Sequence, residues 1–68
     1  MIEPKHTVAP RVAGDAESFL RAQAQRFREA AAVEARDGAG LNRIGLTLRV
    51  AAFYAEGADA LAIAAMLA

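Results

Sequence analysis

The sequence predicts a small all-α protein, a helical hairpin followed by a short third helix, completed as a bundle by oligomerisation. Apolar residues recur at helical spacing, and two glycine-containing segments, 37–40 and 56–59, divide them into helices at about 16–36, 41–56 and 59–67. The 68 residues include no cysteine and one histidine, so neither a disulfide nor a structural zinc is expected. Short chains usually need such a stabilising element, which leaves association as the remaining source of stability.

The segment 41–56 is the one around which the rest must be arranged. As a helix it has two apolar faces, separated by a polar strip of Asn42, Arg49 and Glu56. A helix that is apolar nearly all round is a buried helix, so we expect neighbours on two sides. The first face contains Leu41, Ile44, Leu48, Ala51, Ala52 and Ala55, and the second contains Leu46, Val50, Phe53 and Gly57, with Tyr54 at its edge.

The helix at 16–36 is expected to begin at Asp15 as its N-cap, with Glu17 and Arg21 forming an i,i+4 ion pair. Residues 1–14 contain both prolines and no helical period, so they are predicted to be an irregular arm, either a disordered tail or a segment that packs on a neighbouring subunit. Glu34 lies within the apolar stripe of this helix. Either it bonds across an interface or the stripe frays near the helix end, and we favour fraying.

Gly38 is predicted to end the first helix in the left-handed conformation. The short connection then returns the second helix against the first as an αα-hairpin, in which Leu20 and Phe27 meet one face of the second helix. Gly57 and Asp59 predict another break and cap, which would separate an apolar third helix. This helix would cover the free side of the second one or complete a surface shared between chains.

We expect no membrane span, since a segment over 50–68 would include Glu56 and Asp59. No internal repeat and no sustained coiled-coil heptad pattern is found. The N-terminus has no signal-peptide pattern and the lack of cysteine fits a reducing compartment, so a cytoplasmic location is expected. Abundant alanine, 19 of the 38 apolar residues, and the excess of arginine over lysine are typical of a GC-rich bacterial genome.

The sequence contains no catalytic or metal-binding constellation. Ser18 lies on the polar face of the first helix with no histidine within a turn, and His6 lies in the proline-flanked arm. The carboxylates are explained as caps, loop or solvated face, and none forms an acid/base pair on an apolar face. We therefore expect a non-enzymatic protein with no cofactor and no metal. The formal net charge of zero argues against a general nucleic-acid binder.

Residues 46–67 resemble part of a helix-turn-helix of the LuxR or sigma-region type. The resemblance is carried by Val50, by Ala55-Glu56-Gly57 and by Ile63-Ala64 with Leu67. It implies a corner after Gly57 and, in that family, a recognition helix that follows and enters the major groove. The third helix holds no Arg, Lys, Asn or Gln to read a base edge, so no DNA-contacting residue is assigned.

Our first hypothesis is a small helical protein–protein interaction module, an accessory subunit, adaptor or regulator that acts through apolar helix surface. Its partner would be itself, as a homodimer or higher oligomer, or a larger protein. The alternative is a DNA-binding or transcription-regulatory protein built on the partial helix-turn-helix, with the arginines of the first helix on phosphates. The predicted interface residues are Leu46, Val50, Phe53, Tyr54, Leu61, Met66 and Arg49.

Overall fold

The computed structural model describes the backbone of residues 5–68 and the side chains of residues 14–68. It contains two helices, α1 (Lys5–Arg36) and α2 (Leu41–Leu67), which pack against each other as an antiparallel hairpin. The hairpin measures 54 × 25 × 11 Å between Cα atoms, so it is about one helix thick. The predicted all-α class and the αα-hairpin are therefore confirmed.

The turn between the helices is formed as the sequence predicts. Gly38 has a φ of +82°, the left-handed conformation that a glycine adopts without steric cost. The amide of Gly38 donates to the carbonyl of Ala35 at 3.2 Å, and the amide of Ala39 donates to the carbonyl of Glu34 at 2.9 Å. These two bonds are those of a Schellman motif, and they satisfy carbonyls that the end of α1 would otherwise leave without partners.

The two helices meet along a seam of half-buried and buried positions that alternate three and four residues apart. This is the spacing of a heptad repeat, so the expectation that no heptad pattern exists is wrong. The pattern is inconspicuous because several of its positions hold alanine, threonine or glutamate. The seam positions are Glu17, Leu20, Ala24, Phe27, Ala31 and Glu34 on α1 and Ile44, Thr47, Ala51, Tyr54, Ala58 and Leu61 on α2.

The predicted second break is absent, because α2 continues without interruption through Gly57 and Asp59. A Cβ atom at position 57 would lie 3.3 Å from Leu20 Cδ1, so Gly57 permits close packing of α1 on α2 rather than ending a helix. Ala58, which follows it, is fully buried in the seam. Packing on α1 thus outweighs the roughly 1 kcal/mol by which glycine disfavours a helix interior.

Residues 59–67 are consequently the last part of α2, and residues 5–68 contain no separate third helix. Asp59 does not cap a helix; its carboxylate accepts a hydrogen bond from Arg21 at 3.1 Å. The corner that the helix-turn-helix resemblance implies is also not formed. A continuous α2 cannot fold a third helix back over its own free side, so that side must remain open within the hairpin.

The first helix begins at Lys5, earlier than the expected start near residue 16. Position 10 lies within α1, so Pro10 does not keep the preceding residues out of the helix as expected. Asp15 is therefore inside α1 and is not its N-cap. Of the predicted irregular arm, residues 5–14 are helical, and residues 1–4 lie outside the described residues.

Gly57 and Gly45 give a matched pair of substitutions within α2. A Cβ atom at Gly45 would have no neighbouring atom within 4 Å, whereas a Cβ atom at Gly57 would press on Leu20. Gly45→Ala should stabilise the protein by about 0.5–1 kcal/mol through helix propensity alone. Gly57→Ala should raise the free energy of unfolding clearly less than Gly45→Ala does, or should lower it. The free energies are measured by urea unfolding followed by circular dichroism. Equal stabilisation at both positions would contradict the close packing at Gly57.

Candidate interaction surface

The hairpin buries small side chains and leaves large ones exposed. The only buried residues among those whose side chains are described are Ala24, Ala31, Ala51 and Ala58. In an ordinary core, leucine, isoleucine, valine and phenylalanine are the residues most often buried. Here the exposed large apolar residues are Phe19, Val33, Leu41, Leu46, Leu48, Phe53, Ile63, Met66 and Leu67.

An apolar row on α2 forms the most continuous of these exposed features. Leu46, Val50 and Phe53 line a shallow hollow of about 340 Å³ together with Arg49 and Glu56. Phe53 is 76% exposed and Leu46 is 62% exposed, while Val50 is half-buried. We call these five residues the outer row. Successive members are one or three residues apart, so they share the side of α2 that faces away from the seam.

The two charged members of the outer row, Arg49 and Glu56, form no ion pair with the described side chains of the hairpin. Among the side chains of residues 14–68, the ion pairs join Arg21 to Glu17 and to Asp59, and Arg43 to Glu34. Arg49 and Glu56 take part in none of these pairs. They place one positive and one negative charge on either side of Phe53.

The predicted pair of Glu17 and Arg21 is confirmed, at 2.9 Å. Arg21 also reaches Asp59 on α2, and hydrogen bonds to Glu17 and then to Asp59 raise its pKa above the usual value. All three side chains are exposed or half-exposed to water, so the network contributes little to stability. Within this network, the pair of Arg21 and Asp59 joins α1 to α2 at 3.1 Å.

Glu34 bonds across the hairpin, so the expectation that the apolar stripe frays there is wrong. Its carboxylate accepts a hydrogen bond from Arg43 Nε at 3.2 Å, and its other oxygen is buried without a hydrogen-bond partner. Arg43 precedes Leu46 by one turn and lies on the same side of α2. The ion pair therefore joins the last turns of α1 to the first turn of α2.

The remaining predicted interface residues lie elsewhere on α2. Tyr54 belongs to the seam, where its ring stacks on Phe27 with centroids 5.6 Å apart and planes 20° apart. Leu61 is half-buried at the end of the seam. Met66 is 83% exposed in the last turn of α2, on a different side from Phe53. The structure thus brings Leu46, Arg49, Val50 and Phe53 together and separates Tyr54, Leu61 and Met66 from them.

No group of three or more His, Asp or Glu side chains that could hold a metal ion occurs within the described part of the chain. Comparison with protein-family models, curated proteins and solved structures gave no match for this chain. Its function must therefore be argued from the surface itself.

By length and composition alone, α2 would qualify as a membrane-spanning helix. Core helices of soluble proteins and signal sequences pass the same test, so the finding is weak evidence. A core helix is mostly buried, however, and only 11% of the most apolar window of α2 is buried in the hairpin. Either way, α2 offers more apolar surface than α1 covers.

Truncation of Phe53 and truncation of its neighbour Tyr54 should have different effects on the stability of the hairpin. Tyr54→Ala removes the stacked pair with Phe27, which is worth about 0.5–1.5 kcal/mol beyond the area that it buries. Phe53→Ala removes a side chain that is 76% exposed in the hairpin. In thermal unfolding at the lowest measurable protein concentration, where association is least, Tyr54→Ala should lower the midpoint clearly and Phe53→Ala should not. The reverse order would contradict the assignment of Tyr54 to the seam and Phe53 to the outside.

Proposed function

We propose that this protein is a non-enzymatic helical interaction module, and that the outer row is the surface through which it binds another protein chain. The observation that carries the proposal is the exposure of Phe53 and Leu46 on an uninterrupted helix of 27 residues. Burying a side chain of this kind stabilises a complex by about 1.5–3 kcal/mol relative to leaving it in water. A row of three such side chains therefore supplies a substantial driving force for association.

The spacing of the outer row supports recognition by a helix or a helix-lined groove. Leu46, Val50 and Phe53 are four and three residues apart, which is the anchor spacing of helix-in-groove recognition. Arg49 and Glu56 supply polar groups at the edge of the apolar contact, where interfaces are usually polar. A site of this composition selects an apolar helical surface that carries one charge of each sign.

The DNA-binding alternative rests on a helix-turn-helix corner after Gly57. Since α2 is continuous through that position, this corner is not formed, and only the arginines of α1 remain in favour of this alternative. The interaction module is therefore the function that we propose.

Photo-crosslinking in cells tests whether the outer row is covered by a protein. A photoreactive phenylalanine analogue placed at Phe53 should give a crosslinked adduct, identified by mass spectrometry. The same analogue at Ser18, an exposed position on α1, should give much less adduct and serves as the control. Absence of any adduct at position 53, or equal adducts at both positions, would overturn the proposal.

A further inference from the structure

We propose that the chain covering the outer row is a second copy of this protein, whose α2 lies antiparallel along the first about a two-fold axis at Phe53. This proposal rests on the proposed function, since it names the partner of the same surface. It is supported by the positions of the charges, by the sizes of the facing side chains and by the area that the hairpin leaves exposed.

The charges of the outer row are self-complementary in an antiparallel arrangement. Arg49 and Glu56 are seven residues apart, or about 10 Å along the helix axis, which is too far for them to pair within one chain. A two-fold axis between them places Arg49 of each copy opposite Glu56 of the other, and symmetry makes two such pairs. A parallel arrangement would instead place Arg49 against Arg49 and Glu56 against Glu56, where like charges repel.

The side chains around the axis also match in size. The axis passes close to Phe53, so the two Phe53 rings meet each other. Leu46 and Ala60 lie seven residues before and after Phe53, and the same axis brings Leu46 of one copy onto Ala60 of the other. Ala60 is exposed in the hairpin, so it is free to receive the larger side chain.

The area left exposed by the hairpin is consistent with one further interface. The accessible surface is 5116 Å². A compact monomer of 7.1 kDa is expected to expose roughly 4100 Å². The difference, roughly 1000 Å², is spread over the whole thin hairpin, and a standard-size interface takes roughly 800 Å² from each partner, so the exposed surface is large enough for one.

The test measures the molar mass of the purified full chain by light scattering and sedimentation from micromolar to millimolar concentration. The wild type should reach twice 7.1 kDa. Arg49→Glu alone and Glu56→Arg alone should each weaken the dimer, by about tenfold or more in Kd, because two attractive pairs become repulsive. Mixing these two variants should restore a heterodimer, since positions 49 and 56 then carry opposite charges wherever they face each other. Arg28→Glu, an exposed charge change on α1, is the control and should leave the Kd unchanged.

The direction of the helices is tested with the double variant, Arg49→Glu with Glu56→Arg. It should form a homodimer as tight as the wild type but should not mix with the wild type, because an antiparallel hybrid would oppose like charges. Mixing with the wild type would indicate parallel helices and overturn the proposal. Because Arg49 and Glu56 are exposed or half-exposed and form no ion pair within the described residues, these variants should keep their helicity, which circular dichroism checks.

The remaining outcomes separate this proposal from the proposed function. A monomer at every concentration, or a dimer insensitive to the charge changes, would overturn the second copy as the occupant. If crosslinking at position 53 then captured a different protein, the proposed function would stand with another partner. If the purified chain partitioned into phosphatidylcholine vesicles and no protein adduct formed at position 53, both proposals would fail.

Discussion

The structure depends on the close packing of small side chains between two antiparallel helices. Four alanines form the buried part of the seam, and Gly57 lets Leu20 approach α2 where any side chain would press on it. Small residues allow the backbones to come close over many turns, and the heptad spacing keeps them in contact along the hairpin. The same choice limits stability, because a buried methyl group contributes only about 0.8 kcal/mol, a fraction of what a buried leucine or phenylalanine contributes.

The close packing of small side chains in the seam explains why large apolar residues of α2 lie on the outside of the hairpin. The seam positions of α2 are Ile44, Thr47, Ala51, Tyr54, Ala58 and Leu61. Leu46 and Phe53 lie outside this set and remain exposed. The helix is apolar on the side that α1 covers and on the side that α1 leaves open, so it is built to lie between two neighbours. A single hairpin provides one of them. We propose that another molecule supplies the second, and the positions of Arg49 and Glu56 favour a copy of the same chain.

The sequence was sufficient to predict the hairpin and the side of α2 that carries the apolar residues of the outer row. The turn could be predicted because Gly38 in a short polar segment has a specific local role. Helical spacing placed Leu46, Val50 and Phe53 on one side, but it also assigned Gly57 to that side, whereas Gly57 packs on Leu20 of α1. Local patterns could not reveal that α2 continues through Gly57. A glycine near the middle of a helix looks like an end signal in the sequence alone, and its role in packing becomes visible only when Leu20 is placed opposite it.

Glu34 and Asp59 were misassigned for a related reason. Local patterns predict fraying for Glu34 and capping for Asp59, whereas each accepts a hydrogen bond from an arginine on the other helix. Such contacts join residues far apart in the chain, so local patterns do not report them. The heptad seam was missed because its repeat consists of small and polar residues as much as large apolar ones. Phe19 and Val33 of α1 are exposed, so the seam is narrower than the distribution of apolar residues along α1.

We propose that the seam of α1 and α2 supplies only part of the stability of this fold, and that a second neighbour on α2 supplies the rest. The most direct measurement is thermal unfolding by circular dichroism over a wide range of protein concentration. We predict a midpoint that rises with concentration, because folding is coupled to association. A sharp, cooperative transition whose midpoint is independent of concentration, for a species shown to be a monomer, would contradict the claim.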